Sequence, residues 1–156
     1  MKKLLKHIVY AASLLMFATQ ASAFVIKGFI PANVSQITVI IDDNATDGCW
    51  TNIGEVKRYA EDKLELAGFK VLREKYERAV DDRHYIFNVV VNSKRGAVTC
   101  FGDMQFSIFK FIQNNNMLGM FLVGFYSQNF TGAENANQAS LRLMGNFMKE
   151  VEDPQW

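Results

Sequence analysis

The sequence predicts a two-layer α+β sandwich, with two helices packed on one face of a mixed, mostly antiparallel sheet. Three observations indicate this fold. A β-branched run at 37–41 precedes an amphipathic helical pattern. Three long apolar segments (84–92, 97–111 and 117–127) are separated by polar turns, and a second amphipathic pattern closes the chain. We therefore expect a three-stranded meander covered by helices.

The first 23 residues have the composition of a secretory signal peptide. Three lysines within the first six residues precede an apolar run, and Ala21-Ser22-Ala23 matches an A-x-A cleavage site. The run is shorter than the roughly 20 apolar residues that span a bilayer. We expect cleavage after Ala23, export to a periplasm or beyond, and no membrane span in the mature chain. Residues 24–156 then form a single α+β domain.

The mature chain has nearly balanced charge. Of the 17 basic residues, three belong to the leader, which has no acidic residue, so 14 basic and 16 acidic residues remain, a net charge of −2. Binding to nucleic acid calls for a basic excess, so we expect no nucleic-acid partner. A chain of 133 residues is long enough to bury its own core.

Cys49 and Cys100 are the only cysteines in the sequence. In an oxidising compartment such a pair is most simply a structural disulfide. A redox or metal pair is less favoured, because there is no C-x-x-C spacing and the mature chain has one histidine. The sequence indicates neither a metal site nor a cofactor.

The first half of the domain reads as strand, helix, strand. After the strand at 37–41, the polar stretch 42–48 predicts a turn, although its oxygen-rich residues do not have the spacing of a calcium-binding EF-hand. Thr51 or Asn52 can cap the helix, with Glu55 in capping-box position. Gly68 ends it, and 69–76 predicts a weaker strand.

In the second half, symmetric pairing about the two turns places 92 opposite 97 and 111 opposite 117, which sorts the side chains onto two faces. The face predicted to lie under the helices is almost entirely apolar: Tyr85, Phe87, Val89, Val91, Val98, Cys100, Gly102, Met104, Phe106, Ile108, Leu118, Met120, Leu122, Gly124 and Tyr126. The opposite face, here called the second face, mixes polar and aromatic residues: Ile86, Asn88, Val90, Asn92, Thr99, Phe101, Asp103, Gln105, Ser107, Phe109, Phe111, Met117, Gly119, Phe121, Val123 and Phe125.

The closing segment begins with a capping box at 131–134. Asp153-Pro154 ends it. Its apolar stripe consists of Ala136, Ser140, Leu143, Met144, Phe147, Met148 and Val151.

Five phenylalanines on the second face form the predicted partner surface. They are Phe101, Phe109, Phe111, Phe121 and Phe125. Aromatic patches among polar neighbours are typical of protein interfaces. The alternative is that the apolar segment 24–36 folds across this face and covers it.

Two other functions are open. His84 beside Asp81 and Asp82 could serve as a catalytic base in a small periplasmic enzyme. A carrier would instead hold an apolar ligand between sheet and helices, in a cavity lined by Met104, Met120, Leu143 and Phe147. The sequence has no G-x-S-x-G turn and no glycine-rich phosphate loop, and no set of residues is assigned a catalytic role.

The element order, with Leu66-Ala67-Gly68-Phe69-Lys70-Val71 entering a strand, resembles small α/β domains of bacterial envelope assembly. Examples are the amino-terminal domain of the Tol-system protein TolB and the lipopolysaccharide-assembly lipoprotein LptE. The likeness spans roughly residues 37 to 152 and carries no functional residue. We expect an exported, soluble, non-enzymatic periplasmic accessory or adaptor protein that binds a protein or envelope component through a sheet face or edge. Its oligomeric state is left open.

Overall fold

Two helices lie over one face of a five-stranded sheet in the computed structural model, which describes residues 23–73, 83–114, 117–131 and 136–152. The α+β architecture is as the sequence predicts. The elements are β1 (Ala23–Val25), a single 3-10 turn (Pro31–Asn33), β2 (Gln36–Ala45), α1 (Ile53–Leu66), β3 (His84–Arg95), β4 (Cys100–Asn114), β5 (Met117–Thr131) and α2 (Ala136–Glu152).

The strand order is β1-β5-β4-β3-β2. β2 and β3 run parallel, and the other three pairs are antiparallel. A parallel pair needs a long connection, and α1 lies in this one. Among the described residues of its return segment, Val71 forms a parallel bridge with Ile37, so the described part of the predicted strand 69–76 is reduced to that bridge. The part of it after residue 73 lies outside the described residues.

α1 begins and ends where the sequence predicts. Asn52 is the N-cap residue, but its side chain makes no capping hydrogen bond to the helix backbone, so the predicted capping box is wrong; its side-chain amide donates instead to the Glu55 carboxylate at 3.2 Å. Gly68 follows the last turn with a φ of +91°, a conformation that favours glycine. The predicted turn at 42–48 is wrong in its first half, because β2 continues to Ala45 and the chain turns only at 46–49.

The apolar layer forms between the sheet and the helices. Phe87, Phe106, Tyr126 and Phe147 stack with ring centroids 5.5 to 6.5 Å apart, which joins β3, β4, β5 and α2. All seven residues predicted for the α2 stripe are buried. The α2 capping box falls mainly on 132–135, outside the described residues.

The predicted disulfide between Cys49 and Cys100 is present, with Cα atoms 5.7 Å apart. It joins the loop that precedes α1 to the first residue of β4. The start of α1 is thereby fixed over the helix-covered face.

The predicted pairing of β3 with β4 is wrong in register but right in its faces. Asn92 lies opposite Asp103, not opposite residue 97, because β3 continues to Arg95 and the turn occupies 96–99. Odd residues still meet even ones, so each side chain keeps its predicted face. Val98 falls in the turn and is 87% exposed, which corrects its predicted place in the core.

A β-bulge reverses the predicted faces along the first half of β5. The predicted register of β4 with β5 is wrong, because Phe111 pairs with Met120 and not with residue 117. Ile108 pairs with Gly124 and Phe109 with Leu122, so Val123 is the extra residue. Gly124 and Tyr126 keep the predicted core face, whereas Leu122 and Met120 are 40% and 63% exposed on the second face. Val123, predicted on the second face, belongs to the buried core. Phe121 lies opposite Lys110, on the side away from Phe109 and Phe111.

The amino-terminal segment does not cover the second face with its buried apolar residues. Val25, Phe29 and Val34 join the core cluster between sheet and helices. Phe29 packs on Phe69 at 4.7 Å and on Tyr85 at 5.4 Å between ring centroids. The segment thus runs from one sheet edge to the other on the helix side.

Candidate interaction surface

The second face presents a polar band between aromatic residues. Successive rows across β2, β3, β4 and β5 follow from the strand register: Thr38, Ile86, Phe109 and Leu122; then Ile40, Asn88, Ser107 and Phe125; then Asp42, Val90, Gln105 and Ser127; then Asn44, Asn92, Asp103 and Asn129. The first two rows are mainly apolar. The last two rows, which begin at Asp42 and Asn44, carry carboxylates, amides and a hydroxyl, and we call them the polar band.

Three of the five predicted phenylalanines lie close together. The rings of Phe109 and Phe111 meet edge to face with centroids 5.7 Å apart, and Phe125 occupies the neighbouring row on β5. All three are half-buried, and the exposed Leu122 lies opposite Phe109. We call Phe109, Phe111, Phe125 and Leu122 the aromatic patch.

The structure separates the other two phenylalanines from this patch. Phe101 lies at the far end of β4 and is 47% exposed. It borders a shallow groove of about 320 Å³, lined also by Asn44, Thr46, Asn92, Ser93, Lys94 and Gly102. Phe121 is 45% exposed but points to the other side of the sheet. A single surface made of all five rings therefore does not form.

Side-chain hydrogen bonds within β4 and between neighbouring strands hold the polar band in place. The Asp103 carboxylate accepts from the amides of Asn92 at 3.0 Å and Gln105 at 3.1 Å. The Asp42 carboxylate accepts from Asn88 at 3.0 Å. Such a network fixes planar acceptors and donors on the surface before any partner arrives.

The band carries negative charge. Neither Asp42 nor Asp103 forms an ion pair with a lysine or arginine of the described residues. Asp42 is exposed, and its hydrogen bond from Asn88 lies at the protein surface. The sequence predicts Asp42 in a turn. The structure places it on the second face, because β2 is longer than predicted and continues to Ala45.

His84 is placed for structure. It is 5% exposed, and its ring nitrogens contact the Thr38 hydroxyl at 2.8 Å and the Gln36 side-chain amide at 3.2 Å. Both partners belong to β2, so the imidazole ties the parallel pair together. Asp81 and Asp82, its predicted catalytic neighbours, lie outside the described residues.

The four side chains proposed to line a carrier cavity do not come together. Met104, Leu143 and Phe147 are fully buried in the packed core, whereas Met120 is 63% exposed on β5. Within the described ranges, no three His, Cys, Asp or Glu side chains are arranged to hold a metal ion. Nor does any helix there have the length and apolar character needed to cross a bilayer.

Solved structures share this fold at low sequence identity. PelC from Paraburkholderia phytofirmans, described as a dodecamer, aligns with a TM-score of 0.54 and 13% identity over 87% of this chain and 99% of its own. A leucine-to-methionine variant of that protein aligns with a TM-score of 0.53 and 14% identity over 84% and 98% of the two chains. The hypothetical protein CT253 from Chlamydia trachomatis gives 0.45 and 8% over 76% and 96%.

The likeness to PelC shows that the fold is one found in a bacterial protein. No protein-family model matches the chain. No curated protein matches it either. The finer resemblance to the TolB and LptE domains stays a prediction.

Proposed function

We propose that this chain is an exported, non-enzymatic accessory protein of the bacterial envelope that acts by binding a partner protein through its second sheet face. The observation that carries the proposal is that the aromatic patch lies on that face beside the polar band, whose side chains are already ordered by hydrogen bonds. An apolar centre beside fixed polar groups is the usual anatomy of a protein interface.

Two features support an extracytoplasmic location. The leader has the three parts of a secretory signal peptide. The Cys49–Cys100 disulfide suits an oxidising compartment, since such bonds rarely persist in the cytosol. A periplasm or the medium satisfies both.

The charges on the second face define the kind of partner. Asp42 and Asp103 present acceptors without a cation from the described residues. A complementary protein surface therefore carries an apolar group for the Phe109 region and lysine, arginine or amide donors for the band. PelC, which shares the fold, is described as a dodecamer, so assembly with other chains is compatible with this architecture.

The position of His84 favours binding over catalysis. The one histidine of the mature chain is buried and has both ring nitrogens in contact with β2 side chains. A carrier role is disfavoured in the same way, because the side chains between sheet and helices form a packed core.

The test is Phe109→Ser in the mature protein, with Leu66→Ser as the matched control. Leu66 is 80% exposed on α1, on the helix side of the sheet. Crosslinking in intact cells followed by pull-down should lose the partner with Phe109→Ser and keep it with Leu66→Ser, while both variants retain the circular dichroism of the parent. Identical partners for the parent and Phe109→Ser would refute the proposal.

A further inference from the structure

The hairpin of β4 and β5 extends beyond the rest of the sheet. β3 pairs with β4 only as far as Lys110, so 111–114 and 117–120 continue as a two-stranded ribbon, which we call the arm. β1 pairs with β5 only at Gly124–Tyr126, with one further hydrogen bond from Ile26 to Val123. Along the arm, neither outer edge has a partner strand among the described residues.

Exposed apolar side chains lie on both sides of the sheet among the residues of the arm and its base whose side chains the structure describes. Met120 is 63% exposed on the second face, while Ile112 and Phe121, 40% and 45% exposed, point to the other side. A two-stranded ribbon in water is marginal in stability unless a third strand or a packed layer supports it. The arm therefore has the features of an element completed by something outside this chain.

β5 has a bulge at Val123 next to its open edge, but it lacks two other devices that normally protect an edge strand, charged side chains and proline. Its 15 residues include no charged residue and no proline. At the opposite edge of the sheet, β2 carries Asp42 and Asp43 and is partly closed by the bridge to Val71. The one charge at the base of the arm, Lys110, has its ammonium nitrogen 5.5 Å from the centroid of the Tyr85 ring.

We propose that the arm pairs edge to edge, through residues 117–122 of β5, with the same segment of a second copy of this chain. Because these residues are uncharged, the two copies meet without like-charge repulsion. Antiparallel pairing of two identical strands is related by a two-fold axis and closes at a dimer. The pairing makes one four-stranded ribbon from two arms and gives Met120 and Phe121 cross-strand neighbours.

Insertion of the arm into lipid is less favourable. The sequence that connects β4 to β5, Gln113-Asn114-Asn115-Asn116, consists of four residues with amide side chains. Amides transferred to hydrocarbon lose their hydrogen bonds to water without gaining others. Edge pairing of β5 requires no transfer of these amides into hydrocarbon.

The inference goes beyond the proposed function, since it concerns the backbone edge of β5 and a second copy of this chain, not the second face and another protein; Leu122 belongs to both the segment 117–122 and the aromatic patch. Sedimentation velocity of the mature chain, from low to high micromolar concentration, should show a monomer converting to a dimer. Met120→Lys and Met120→Glu should each weaken the dimer about tenfold or more, because each places like charges close to the two-fold axis. Leu66→Lys, at a more exposed position on α1, should leave it unchanged.

Mixing the Met120→Lys and Met120→Glu proteins should restore dimers, because opposite charges then face each other. Amide hydrogen exchange at 117–122 should slow with concentration in the parent and not in Met120→Lys. A parent that stays monomeric, a Met120→Lys protein that dimerises like the parent, or a mixture that does not recover would overturn the inference. A monomeric parent whose binding to phosphatidylcholine vesicles requires Met120 would also overturn it and assign the arm to lipid. Partner capture in the Phe109→Ser experiment is a separate readout, so either proposal can fail alone.

Discussion

Removal of the disulfide should cost this domain a large part of its stability. Cys49 and Cys100 are 51 residues apart in sequence, and closing a loop of that length restricts the unfolded chain by about 4 kcal/mol in the chain-entropy model. Domains of this size are stable by about 5–15 kcal/mol. We expect the Cys49→Ala, Cys100→Ala double variant to remain folded at low temperature, with a urea midpoint far below that of the oxidised parent.

Reduced parent protein is the control for this prediction. If the effect arises from loop closure, urea unfolding of the reduced parent should match that of the double variant, because both have lost the same cross-link. A loss below about 1 kcal/mol would refute the reasoning, since the unfolded chain would then gain little freedom when the bond is cut. Free thiols in the mature protein, measured by mass under non-reducing conditions, would refute it at the outset.

Two further predictions concern single residues. A Cβ at Gly102 would lie 1.9 Å from the Asn92 carbonyl oxygen, so Gly102→Ala should lower the unfolding free energy by about 3 kcal/mol. The control is Gly119→Ala, which should have a small effect because its Cβ would lie 3.8 Å from the nearest atom. Equal losses of unfolding free energy in urea titrations of the two variants would contradict this prediction. Burial raises the pKa of Glu61 above 4.5, an effect partly offset by Lys57 and Arg73. The stability contributed by the protonated Glu61 carboxyl is therefore complete below its unfolded-state pKa and is lost as pH rises through its folded-state pKa. Glu61→Gln should gain stability relative to the parent over that rise, and a pH-independent difference between the two would show the burial argument to be wrong.

The sequence predicted much of the fold because hydrophobic periodicity reports directly on burial. The α2 stripe is buried as expected, and β3 presents Phe87, Val89 and Val91 to the core. The disulfide was predicted because the sequence has only two cysteines and a leader from which we expect export. These features depend on local pattern and composition, which a single sequence contains.

The candidate surface was predicted only in part. Phe109, Phe111 and Phe125 come together as expected, but Phe101 lies at the far end of the face and Phe121 on the other side. Phe101 keeps its predicted face but is eight residues from Phe109 along β4, whereas Phe121 changes face because the bulge at Val123 shifts the face of the β5 residues before it. The run Phe121-Leu122-Val123-Gly124-Phe125 has no polar residue, so alternation could not reveal which position was the extra one.

The sequence by itself determined the α+β class, the helix-covered face, the cysteine pairing and the expectation of export. Each of these follows from the period, type or number of residues along the chain. Only the tertiary structure decided the strand register, the bulge, the path of residues 24–36 on the helix side and the projection of the arm. Those depend on which backbone groups of distant segments meet, and several pairings of equally apolar strands satisfy the same local pattern.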